Sequence, residues 1–60
     1  MAIDITIKAE QNPLKDGVVY RAYRVLEDGV LFRLGMGDEN LDLLMLRVLQ
    51  MYPDAQIVTV

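Results

Sequence analysis

Ile3, Ile5, Ile7 and Ala9 alternate with Asp4, Thr6, Lys8 and Glu10 at the start of the chain. A period of two belongs to a strand with one buried and one wet face, so a first strand is predicted there. Residues 11–17, Gln-Asn-Pro-Leu-Lys-Asp-Gly, collect Asn-Pro and Asp-Gly turn signals into a connection. Two more β-rich runs, Val18 to Leu26 and Val30 to Met36, flank Asp28-Gly29. They predict a hairpin, because Asp-Gly tolerates the positive φ angles of a tight turn.

Two registers fit this hairpin. With Asp28-Gly29 as a two-residue turn, Val25 pairs with Phe32, Tyr23 with Leu34 and Arg21 with Met36. One face then carries Val19, Tyr23, Val25, Val30, Phe32, Leu34 and Met36. The other carries Val18, Tyr20, Ala22, Arg24, Leu26, Leu31 and Arg33, with Arg24 opposite Arg33, a like-charge pairing that costs stability unless an acidic partner covers it. A three-residue turn from Glu27 to Gly29, bulged at Gly29, instead sets Arg24 beside Phe32 on the core face. The first register is expected, since the second places a charge among the largest apolar groups.

Gly35-Met36-Gly37 closes the third strand. Asp38 is the expected helix N-cap, with Glu39 and Asp42 in the first turn, where the helix dipole favours negative charge. The helix is expected to end at Met51 or Tyr52, ahead of Pro53. Leu41, Leu44, Met45, Val48, Leu49, Met51 and Tyr52 fill an arc of about 160° that faces the core. Asp42, Arg47 and Gln50 take the opposite side. Leu43 and Leu46 project among these polar positions, three residues apart and so adjacent on the surface. A final strand spans Gln56 to Val60. The expected fold is α+β, one domain over 1–60 in the order β-β-β-α-β. Its mostly antiparallel four-stranded sheet runs 3-2-1-4, with the last strand parallel to the first and the helix on one face.

Composition bears on how such a fold holds. A 60-residue domain buries only about 60% of the surface its unfolded chain exposes. The chain has no Cys and no His, which removes disulfides and ordinary zinc sites as remedies. Association is the remaining one, and a hydrophobic fraction of 53% agrees with it. A homodimer is therefore expected.

The same absences narrow the chemistry. There is no Ser, and Thr occurs only at Thr6 and Thr59 with no His to activate it. Nucleophilic triads are thus excluded, and the chain is expected to be non-catalytic, without cofactor or metal. Asp38, Glu39 and Asp42 place three carboxylates within one turn, as a magnesium site does, but acidic residues belong at a helix N-terminus whether or not anything binds. Gly35-Met36-Gly37 lacks the third glycine of a dinucleotide fingerprint, and Asp38-Glu39 would repel a phosphate there. Nine acidic residues against six basic ones give a net charge of −3, so direct nucleic-acid binding is not expected. No apolar run approaches the length of a membrane span, and Met1-Ala2-Ile3-Asp4 does not open like a signal peptide, so no membrane association and a cytoplasmic location are expected.

What remains is surface. In the favoured register Tyr20, Arg24 and Arg33 share the sheet face away from the helix with Leu31, a set suited to acidic groups of a protein partner. Leu43 and Leu46, rimmed by Asp42, Arg47 and Gln50, form an apolar centre with a polar border, as interfaces do. In antiparallel helices across a dimer axis, Asp42 would reach the partner's Arg47. The expected partner-binding residues are Tyr20, Arg24, Leu31, Arg33, Leu43, Leu46, Arg47 and Gln50.

The β-β-β-α-β order, with Gly37-Asp38-Glu39 opening the helix, is similar to small antitoxin domains of the HicB type. That resemblance is one of topology, and it implies an antitoxin or transcriptional regulator. In size and composition the chain also resembles the acidic, nucleophile-free proteins with which bacteriophages and mobile elements block host enzymes. The leading expectation is an inhibitor or modulator of this second kind, one that covers the surface of a host macromolecule such as a nucleic-acid-binding enzyme.

Overall fold

The structure, a computed structural model, describes residues 2–60. Four strands and one helix follow in the expected order: β1 (Ile3–Gln11), β2 (Val18–Val25), β3 (Leu31–Asp38), α1 (Leu41–Met51) and β4 (Ala55–Thr59). The strands form one sheet ordered β3-β2-β1-β4. β1 pairs antiparallel with β2 and parallel with β4, and β2 pairs antiparallel with β3. The fold is α+β, as the hydrophobic pattern predicts.

The alternation in β1 sets the core. Ile5 and Ile7 are fully buried and face Arg24 and Ala22 across the β1–β2 pair. Ala22, Leu44 and Val48 complete the five-residue buried core among the described residues. Ile3, Tyr20, Leu34, Met36, Leu41, Met45, Tyr52, Ala55 and Ile57 pack around it, partly buried. The accessible surface is 4380 Å². A monomeric globular protein of this mass exposes roughly 4,000 Å², so the chain is somewhat more open than its size requires.

The hairpin register differs from the favoured expectation. Arg24 pairs with Phe32, Tyr23 with Arg33 and Val25 with Leu31. The Leu26 N–H donates to the Val30 carbonyl at 2.9 Å and the Gly29 N–H to the Leu26 carbonyl at 2.9 Å. The loop is thus the three-residue turn Glu27–Gly29, with Gly29 at φ +82°, a left-handed conformation that glycine adopts without steric cost. Arg24 and Arg33 consequently lie on opposite faces. β3 turns the expected face inward, whereas β2 is inverted: Tyr20, Ala22 and Arg24 point to the helix side.

A second irregularity lies further along the same pair. Arg21 pairs with Gly37 while Tyr23 pairs with Arg33, so one residue of β2 faces three of β3. Gly35, at φ +75°, sits in this bulge and lets Leu34 and Met36 both reach the core. The bulge also extends β3 to Asp38, which therefore ends a strand and is not the expected N-cap. Asn40 caps the helix, its side chain accepting from the Leu43 N–H at 3.2 Å. Asp38 accepts from the Asn40 N–H at 2.8 Å and pairs with Arg47 at 3.3 Å.

The helix buries a narrower stripe than expected. Leu41, Leu44, Met45, Val48 and Tyr52 pack inward, while Leu49 and Met51 remain 42% and 63% exposed. The chain enters the helix from β3 and leaves it into β4, the two opposite edges, so α1 crosses the sheet diagonally. The corner of the helix-side face near the β2–β3 turn stays open, and Phe32 is 57% exposed there.

Candidate interaction surfaces

Three surfaces can be built from these elements. The first is the sheet face away from the helix. Register places Lys8, Arg21, Tyr23 and Arg33 on it together with Glu10. The Tyr23 hydroxyl donates to the Glu10 carboxylate, and Arg21 Nε pairs with the same carboxylate at 3.2 Å. Lys8 Nζ lies 6.0 Å from the centre of the Tyr23 ring, at the limit of a cation–π contact. The hydrogen bond to Glu10, then burial, then the Glu10 charge hold the Tyr23 phenol above its ordinary range, with Arg33 opposing the shift. Three cations around one carboxylate leave this face locally basic on an acidic chain.

The second surface is the turn end of the β2–β3 hairpin. Asp4, Glu27 and Asp28 are exposed there and share an open depression with Arg24 and Leu26, while exposed Asp54 lies at the same end of the sheet beside Ile3, ahead of β4. The ion pairs of the described residues, Lys15–Glu39, Arg21–Glu10 and Arg47–Asp38, use other carboxylates. Four carboxylates and one arginine give this end a charge of −3, equal to that of the whole chain. Leu26, Val30 and Phe32 are exposed on the hairpin itself. Asp28 also holds the turn, accepting from the Val30 N–H at 3.2 Å.

The third surface is the outward side of α1. Leu43, Leu46, Arg47 and Gln50 are all exposed. Leu43, Leu46 and Leu49 form a row at three-residue spacing, so the expected pair gains a third leucine.

The sequence-derived sheet set does not stay together. Tyr20 is half-buried against the core, opposite Ala9 and Asp38. Arg24 lies exposed on the helix side, whereas Leu31 and Arg33 lie on the open side. The basic cluster is instead Lys8, Arg21 and Arg33 around Tyr23, which only the correct register reveals. Among the described residues no group of three or more carboxylates converges to hold a metal ion, and no helix is long and apolar enough to cross a membrane. Comparison with known proteins finds no matching family model, no matching curated protein and no matching solved structure.

Proposed function

We propose that the chain is a non-catalytic binding protein that blocks or modulates a host macromolecule by covering its surface. The observation that carries this reading is the composition of the hairpin end. Asp4, Glu27 and Asp28 line one open depression with Leu26 and Arg24, and exposed Val30 and Phe32 follow on the same hairpin, so apolar groups and carboxylates share this end. A surface of this kind complements a basic, partly apolar site on a protein, such as one that otherwise holds nucleic acid. Like-charge repulsion makes the same surface a poor site for nucleic acid itself.

Affinity capture from the native host tests the reading, with the wild-type chain compared against Glu27→Lys combined with Asp54→Lys. The wild type should retain a nucleic-acid-binding protein, free DNA or RNA should compete it away, and the charge-reversed variant should lose it. Equal retention by a folded variant would sink the proposal.

The runner-up is a HicB-like antitoxin or transcriptional regulator. It is favoured by the open face, where Lys8, Arg21 and Arg33 surround Tyr23. Specific DNA binding by the chain alone at physiological salt would support the regulator and count against the inhibitor.

A further inference from the structure

We propose that two copies of the chain join along the outer edge of β4, antiparallel and centred on Val58, to make one continuous eight-stranded sheet. This goes beyond the functional reading above and does not depend on any target.

The backbone shows which groups are free to pair. The Val60 N–H donates to the Ile7 carbonyl at 2.9 Å, and Ile7 is the register partner of Thr59. In a parallel pair this turns the peptide groups of Val58 and Val60 toward β1. Those of Ile57 and Thr59 therefore point outward along the edge. The Ala55 N–H is already given to the Tyr52 carbonyl at 2.9 Å. A register that joins Ile57 of one chain to Thr59 of the other uses the outward groups of both residues twice over. It sets Val58 against its own copy and Gln56 against Val60. Centring on Ile57 would instead match Thr59 with Ala55, whose N–H is taken.

The two edges of the sheet differ in a way that selects β4. β3 carries Arg33, Asp38 and the Gly35 bulge, features that discourage edge pairing. Residues 55–60, Ala-Gln-Ile-Val-Thr-Val, contain no charge, proline or glycine. A strand without charge pairs with its own copy without setting like charges face to face. Val58 and Val60, 59% and 76% exposed, lie on the open face of this strand. In the proposed register the Val58 pair sits at a non-hydrogen-bonded position, where side chains approach most closely.

The helix adds a second layer to the same contact. The Arg47–Asp38 pair turns one flank of α1 toward β3. At about 100° per residue, Leu49 then lies on the opposite flank, toward β4, with Leu46 beside it. A two-fold axis normal to the sheet keeps both helices on one side and brings these flanks toward each other. Leu46, Leu49, Val58, Val60 and the strand backbone together offer on the order of 500 Å² per chain, about 1,000 Å² in the pair, the lower bound of a specific interface.

Sedimentation velocity and cysteine cross-linking test the proposal. The wild-type chain should sediment at twice its 6.8 kDa mass at micromolar concentration. Thr59→Pro removes an outward N–H without touching the β1–β4 ladder, and should sediment as a single chain with an unchanged circular dichroism spectrum. The chain has no native cysteine. Val58→Cys should give a covalent dimer on mild oxidation, because identical positions meet there, whereas Gln56→Cys on the same face should stay largely uncross-linked. A wild type that remains a single chain at high micromolar concentration overturns the proposal. Equal cross-linking of the two cysteine variants overturns it as well, and that comparison decides the matter should Thr59→Pro fail to fold.

Discussion

Leu44→Ala and Leu49→Ala together locate the core, because hydrophobic periodicity assigns both residues to the buried stripe and the structure separates them. Leu44 is fully buried with Ile5, Ile7, Ala22 and Val48, while Leu49 is exposed on the helix flank. Truncating a buried leucine costs about 2–5 kcal/mol, the lost transfer energy plus the cavity left behind. At roughly 0.05–0.15 kcal/mol per residue, a domain of this length has about 3–9 kcal/mol in total. Leu44→Ala therefore removes between a fifth and all of the stability. With a urea slope near 1 kcal/mol per molar, the midpoint should fall by about 2–5 M, and part of the population should be unfolded before denaturant is added. Leu49→Ala should cost clearly less, about 1 kcal/mol, since Leu49 stays 42% exposed and its truncation leaves no enclosed cavity. Urea unfolding followed by circular dichroism at low protein concentration measures both, and low concentration matters because association adds stability by mass action. Equal losses in the two variants, or a loss below about 1 kcal/mol for Leu44→Ala, would refute this placement of the core.

Other expected outcomes follow from single residues. Gly35→Ala should destabilise by about 1–2 kcal/mol through backbone strain alone, since φ is +75° and an added Cβ meets nothing within 4 Å; thermal unfolding with no change in midpoint would contradict this. Arg24→Glu and Arg33→Glu, on opposite faces, should affect binding to a captured target independently, and a strong coupling in the double variant would argue for the two-residue turn. Because Tyr23 holds its proton more tightly when folded, its contribution is complete below the unfolded value near pH 10 and is lost as pH rises through the higher folded value. Stability of the wild type should therefore decline above about pH 10 more steeply than that of Tyr23→Phe, a difference that denaturation at several alkaline pH values would detect or exclude.

Elements and their order were legible because they rest on periodicity and punctuation. The Ile3-Ile5-Ile7 alternation, the Asp28-Gly29 turn and Pro53 each act locally, and the crossover order follows from chain path. Register was not legible, because Asp28-Gly29 serves a two-residue and a three-residue loop equally. Keeping Arg24 out of the core favours the two-residue loop. The diagonal helix removes that objection, since it leaves the Arg24–Phe32 corner uncovered and the guanidinium in water. Asp38 has good N-cap chemistry, but the bulge at Gly35 adds length to β3 and moves the cap to Asn40. Leu49 and Met51 read as core by angle alone, while one short helix on a narrow sheet buries only its central stripe. The cluster around Tyr23 depends wholly on register, and the acidic end becomes a surface only once the strand ends near Asp4 and Asp54 are brought beside the hairpin turn.

A small core with its apolar surplus outside makes the β4 edge the most direct place to test whether association completes the fold. Amide hydrogen exchange at Ile57 and Thr59, measured against Val58 and Val60, reads it residue by residue. The account predicts slow exchange at all four positions, with protection at Ile57 and Thr59 lost on dilution. Exchange at Ile57 and Thr59 at the rate of an open chain, at every concentration and beside protected Val58 and Val60, would contradict it.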